Sequence, residues 1–178
     1  MVNLGYLKNV LNRKKNMGSE ILKYTDKDYI DMAAELAEEN VLKGGGPFGA
    51  VIVRDGKIIA TGVNTVTLTN DPTAHAEINA VRKACEVLGT FKLDRCIVYS
   101  SCEPCPMCLS ALYWAGVKSI YYGNTKEDAD AIEFSDRFIY AQLDKAPRDR
   151  AIPCIKVNSE RAIRAFRMWN EKVDKKVY

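Results

Sequence analysis

"RCIVYSSCEPCPMC", residues 95–108, carries four of the six cysteines of a 178-residue chain and a change of secondary structure in one short run. Its first half is apolar and β-branched and reads as a buried strand over 95–101. Its second half reads as a helix that opens near Pro104 and closes before Gly116. A further strand follows in "VKSIYYG", 117–123.

Upstream, "AVIVRDGKIIATGVN", 50–64, reads as two strands joined at Asp55-Gly56, a pair that tolerates the positive φ angles of a tight hairpin. A helix precedes it over Thr25–Lys43, with Ile30, Ala33, Ala37 and Val41 on one face and Asp28 as a capping carboxylate; "GGGPFG", 44–49, ends it. A second helix is expected to start at Asp71-Pro72, to run through Ile78, Val81, Cys85 and Leu88, and to stop at Gly89. Near the carboxy terminus, "IPCIKVN", 152–158, reads as another strand. Residues 159–174 read as an amphipathic helix with Ile163, Phe166 and Trp169 in register. Hairpin, helix, strand, helix, strand predicts an α/β fold with helices on both faces of one sheet, three layers in all.

Bulk properties narrow the function. A chain that is 47% hydrophobic suits one globular domain. No apolar run is long enough to cross a bilayer, and the first sixteen residues lack the apolar core of a secretory signal. Lys8, Arg13, Lys14 and Lys15 make the first nineteen residues basic, and the rest holds 22 basic against 23 acidic residues. The body is thus nearly neutral, which argues against a nucleic-acid partner. Residues 1–22 read as an amino-terminal extension. Six cysteines without a signal peptide point to a reducing compartment, the cytoplasm. Cys85, Cys96 and Cys154 read as buried apolar residues.

The single histidine, His75, lies in "DPTAHAEINA", 71–80. Cys105 and Cys108 sit where a strand passes into a helix, and a helix amino terminus favours thiolate. His75 enters its own helix in the same way. One imidazole and two thiolates with a fourth position left for water make an open, catalytic zinc site. Glu77 is two residues on from His75, where it can reach that water without binding the ion and carry its proton. His-x-Glu paired with Pro-Cys-x-x-Cys is the zinc deaminase signature. Three other readings compete at this point. A thioredoxin-like dithiol would leave His75 and Glu77 idle. A closed structural site of His75, Cys102, Cys105 and Cys108 would make a binding module. A core histidine would make the neighbouring residues coincidence.

With these residues in hand, the chain resembles the cytidine deaminase-like superfamily and, within it, the small bacterial guanine deaminases. The likeness runs from about Asp26 to Tyr178 through "GGPFGAVIV", "NDPTAHAE", "SCEPCPMC", "YWA", "FIY" and "FRMWNEKVDKKVY". It implies a five-stranded mixed sheet between helices, one domain over 23–178, and a homodimer with exchanged carboxy-terminal segments. It implies one zinc ion per chain, held by His75, Cys105 and Cys108. It also implies hydrolysis of guanine to xanthine and ammonia, hydroxide on zinc attacking the amino-bearing carbon while Glu77 shuttles the proton. By the same resemblance Asp136 is a second catalytic acid, and Asn64, Ala76, Phe48, Trp114 and Tyr178 bind substrate. The chain departs from the family's Gly-Phe-Asp-Asp with Glu133-Phe134-Ser135-Asp136. Guanosine, cytosine or cytidine would suit the same chemistry, and a transfer RNA adenosine would suit it less well.

Overall fold

The computed structural model describes residues 24–177, which fall into two compact units divided between Ser135 and Asp136. The extension 1–22 and Tyr178 lie outside the described residues.

In the first unit, helix α1 spans Asp26–Leu42, strand β1 Gly49–Arg54, strand β2 Lys57–Val63, and a single-turn helix α2 Val66–Thr69. Helix α3 (Ala76–Leu88), strand β3 (Cys96–Cys102), helix α4 (Pro106–Ala115), strand β4 (Ser119–Asn124) and short helix α5 (Lys126–Asp130) follow. Local chemistry sets these boundaries. Thr25 and Asp28 form a reciprocal capping box at the start of α1. Asp55 and Gly56 both take positive φ, 52° and 75°, which is the mirror-image turn that suits a two-residue hairpin. Gly89 and Gly116 end α3 and α4 in the left-handed conformation.

The start of α3 differs from expectation. The Asp71 Oδ1 accepts bonds from the Thr73 N–H at 2.8 Å and the Thr73 hydroxyl at 2.7 Å, closing a local turn. That use of the carboxylate delays the helix to Ala76, and His75 becomes its extended N-cap, with φ −69° and ψ 160°.

The sheet has four strands in the order β2-β1-β3-β4. β1 is antiparallel to both β2 and β3, and β3 is parallel to β4. It follows that β2, β3 and β4 run one way and end at one edge of the sheet, where β1 begins. Alternation along the strands makes the two core layers. Ala50 and Ile52 of β1 with Cys96 and Val98 of β3 face α3 and α4, in a cluster holding Ala76, Ala80, Ala84 and Leu112. Val51, Val53 and Tyr99 face the other way and pack on Tyr29, Met32 and Ala33 of α1. The helices sit close: a Cβ at Gly49 would lie 2.2 Å from the Ala33 carbonyl, and one at Gly62 would lie 2.1 Å from that of Ala76.

The second unit contains helix α6 (Arg137–Leu143), a 3-10 turn at Pro147–Asp149 and helix α7 (Glu160–Glu171). Ser159 caps α7 through the Ala162 N–H. The strand expected at 152–158, which would have been the fifth, does not form among the described residues, and Ile152, Ile155 and Val157 are all largely exposed. β-propensity makes a strand only where a neighbouring strand completes the ladder, and none pairs with this segment. Cys154 is exposed rather than buried, whereas Cys96 is buried and Cys85 half-buried.

Candidate metal centre

The shared edge where β2, β3 and β4 end collects the chemistry. His75 is the N-cap of α3 and Cys105 the N-cap of α4, so both side chains stand off helix ends. Cys108 lies within the first turn of α4. The His75 Nδ1 is 3.6 Å from the Cys105 Sγ and 3.5 Å from the Cys108 Sγ. All three ligand atoms lie within 4.8 Å of one another. Around a tetrahedral zinc ion, ordinary Zn–N and Zn–S bonds place nitrogen and sulfur about 3.6 Å apart. The donor set therefore fits zinc in both spacing and chemistry.

The electrostatics point the same way. Hydrogen bonding from the Cys108 thiol, and then from His75, lowers Cys105 to about 4 against the cost of its burial. Cys108 moves far upward, because its proton is shared with Cys105 and burial and the Glu77 carboxylate oppose a second negative charge. The hydrogen bond to Cys105 raises His75. Two adjacent sulfurs held to a single negative charge are what a divalent cation relieves, by taking the place of the proton.

Cys102 does not join them. Its thiol donates to the Thr125 carbonyl at 3.4 Å, and burial raises it to about 11. The ligand set found among the described residues is one nitrogen and two sulfurs. The closed four-ligand site is thereby lost as a reading of this chain.

Glu77, in the first turn of α3, is 6% exposed and is raised chiefly by burial. Its Oε1 accepts from the Ser100 hydroxyl at 2.9 Å. Asn64, just after β2, is also 6% exposed. Its Oδ1 accepts from the Val66 N–H at 3.2 Å, and its N–H donates to the Phe48 carbonyl at 3.1 Å. Phe48 leads into β1 and meets the Phe134 ring edge-on, with centroids 5.1 Å apart. Ala76 is fully buried at the start of α3. Trp114 stands near the far end of α4, about 9 Å along the axis from Cys108, and is largely exposed. Asp136 opens the second unit as the N-cap of α6.

Three further residues at this edge belong to no motif in the sequence. Asn40 is buried and donates to the Gly46 carbonyl at 2.8 Å and to that of Asn64 at 2.7 Å. Asn79 donates to the Val63 carbonyl at 2.9 Å and the Ala74 carbonyl at 3.2 Å, tying the end of β2 to the residue before His75. Ser100 is the third. Their one signal in the sequence is a polar residue on an otherwise apolar face, the mark of a buried hydrogen bond.

Residues 23–124 match the model of the cytidine and deoxycytidylate deaminase zinc-binding region. The chain belongs to this family. It is a zinc-binding deaminase of α/β fold. It is 52% identical over 151 residues to a guanine deaminase of Bacillus subtilis, which spans 84% of this chain and 97% of that protein. The crystal structure of a Bacillus subtilis guanine deaminase superposes with a TM-score of 0.85 at 50% identity, covering 87% of this deaminase and 99% of that chain. A guanine deaminase from Nitrosomonas europaea gives a TM-score of 0.62 at 32% identity over 66% of this chain and 68% of that one. A tRNA-specific adenosine deaminase of Agrobacterium fabrum is 44% identical, over 52% of this chain and 60% of that protein.

In the departing loop, Glu133 has a φ of 70°. This is the left-handed region, where a side chain costs about 1 kcal/mol that glycine avoids. The resemblance puts glycine at this position, and this deaminase has a glutamate in a backbone conformation that suits glycine.

Proposed function

We propose that this chain hydrolyses guanine to xanthine and ammonia. The observation that carries the reading is the buried Glu77 carboxylate two residues from His75, beside a ligand set of one nitrogen and two sulfurs that fits zinc. The extent of the likeness to the Bacillus subtilis guanine deaminase, nearly the full length of that protein, supports the choice of substrate.

His75, Cys105 and Cys108 hold the zinc ion, which when bound lowers the pKa of water towards ~7. Glu77 removes a proton from the attacking water and delivers it to the ring nitrogen next to the amino-bearing carbon. Oxygen bonds to that carbon, which becomes tetrahedral. The second water proton goes to the amino group, the C–N bond breaks, and ammonia leaves as the carbonyl forms. Asn64 orients the ring by hydrogen bonding, and Phe48, Ala76 and Trp114 line the pocket. Asp136 receives the amino side of the base and helps to carry the second proton, and Tyr178 closes over it. Site closure by residues from the far end of the chain suits a small base better than a polynucleotide.

The assembly follows the same reading. Tyr121 and Tyr122 on the outer strand β4 are exposed, as are Ile163, Phe166 and Trp169 along α7 and the apolar residues of 152–157. So much apolar surface calls for a partner, and a homodimer that exchanges residues 136–178 covers it. Residues 23–178 then form one deaminase domain, completed in the dimer. Among the described residues no helix is long and apolar enough to cross a membrane. Free cysteines and a free-base substrate support a cytoplasmic enzyme.

The test is ammonia release from guanine, guanosine, adenine, cytosine, cytidine and a tRNA anticodon stem-loop, using zinc-loaded protein whose solution mass is measured alongside. Guanine is expected to be turned over at least about 100-fold faster than the others, by a species of twice the chain mass. Preference for a pyrimidine or the RNA would overturn the substrate. A fully active monomer would overturn the exchanged dimer.

A further inference from the structure

We propose that Ser100 is a positioning residue for proton transfer, anchoring one oxygen of Glu77 so that the other does the work. The inference rests on Glu77 as the proton carrier and adds what aims it.

The place of Ser100 in the fold is the first argument. β3 is flanked on both sides, and Ser100 pairs with Ala50 of β1 and with Tyr122 of β4. Its backbone is therefore held by two ladders. Along β3 it continues the row of Cys96 and Val98, whose side chains fill the apolar layer beneath α3 and α4. An aliphatic residue would extend that layer at no polar cost. Ser100 instead places a hydroxyl there, at 1% exposure. Burying a hydroxyl is unfavourable unless it finds a partner, and the partner here is the Glu77 Oε1 at 2.9 Å.

The neighbouring serine shows that the pair is not one shared feature. Ser101 points to the opposite face, where its Oγ accepts from the Gly49 N–H at 3.0 Å and fastens the start of β1. Ser101 serves the frame and Ser100 serves the carboxylate.

A hydroxyl that donates to a carboxylate fixes rotation about the last side-chain bond. Glu77 hangs from the first turn of α3, while Ser100 belongs to the sheet. The hydrogen bond therefore joins the two elements and holds the carboxylate relative to β3, the strand that leads to Cys105. With Oε1 occupied, Oε2 is the oxygen that takes and releases the proton. Reacting groups that drift by about 1 Å can lose up to ~10²-fold in rate.

Ser100→Ala removes the donor without adding bulk. In single-turnover experiments with guanine, the rate at saturating enzyme is expected to fall by about 10- to 100-fold. The enzyme concentration for half-saturation, the zinc content and the Tm should stay close to those of the wild type. Glu77→Gln, assayed beside it, separates the two ideas. If Glu77→Gln is inactive and Ser100→Ala keeps the wild-type rate, the serine has no positioning role. If Ser100→Ala loses zinc, affinity and stability together, its role is structural and the proposal is overturned. If Glu77→Gln retains full activity, the underlying reading falls and the serine's role with it.

Discussion

Glu77→Gln is expected to lower the rate of ammonia release by about 10³-fold while the protein keeps its fold and its zinc. The substitution preserves the size and shape of the side chain, and an amide oxygen can still accept from the Ser100 hydroxyl. What it removes is a group able to accept a proton from water and give it up again. Glu77 is not among the three ligand atoms, which come from His75, Cys105 and Cys108, so the metal content should stay at one per chain. Burial places this carboxyl above the usual carboxylate range, which brings its basicity closer to that of the groups it exchanges protons with. Metal analysis and an ammonia assay on one preparation check both halves. A variant with normal turnover would remove Glu77 from the reaction.

The second large effect is on stability. Gly62 of β2 lies against the first turn of α3, and an added Cβ would come within 2.1 Å of the Ala76 carbonyl oxygen and 2.5 Å of the Ala80 nitrogen. Both are backbone atoms, so no side chain can swing aside. Gly62→Ala must push the helix away from the sheet, at about 1–3 kcal/mol for a packed interior. In a chain of this size that corresponds to a Tm lower by roughly 3–10 °C. The displaced segment carries His75 and Glu77, so zinc affinity should fall as well. Calorimetry and a zinc titration measure the two effects. An unchanged Tm would mean that the strand and helix are less tightly packed than this contact requires.

How much of this was legible in the sequence follows from how local each feature is. The hairpin at Asp55-Gly56 and the helix stops at Gly89 and Gly116 depend on backbone angles that few residues tolerate. Neighbouring residues alone announce them. The ligands His75, Cys105 and Cys108 were legible because histidine occurs once and the cysteine spacing is restrictive. Helix α3 was placed too early because an aspartate before proline caps helices and closes turns with the same carboxylate, and only the surrounding structure decides which. The strand expected at 152–158 depended on a neighbour that its own sequence cannot specify. Asn40, Asn79 and Ser100 escaped notice because each is a common polar residue whose role comes from what lies across the fold.

The fold brings those ligands together from two helix starts, and it turns Cys102 aside toward Thr125. The identity of this metal site as an open one is the claim on which the mechanism stands. X-ray absorption at the zinc edge of the purified active protein tests it most directly. The expected result is one zinc per chain with two sulfur neighbours and two nitrogen or oxygen neighbours, one of them exchangeable with solvent. Three sulfur neighbours, or full activity in protein stripped of metal, would contradict it.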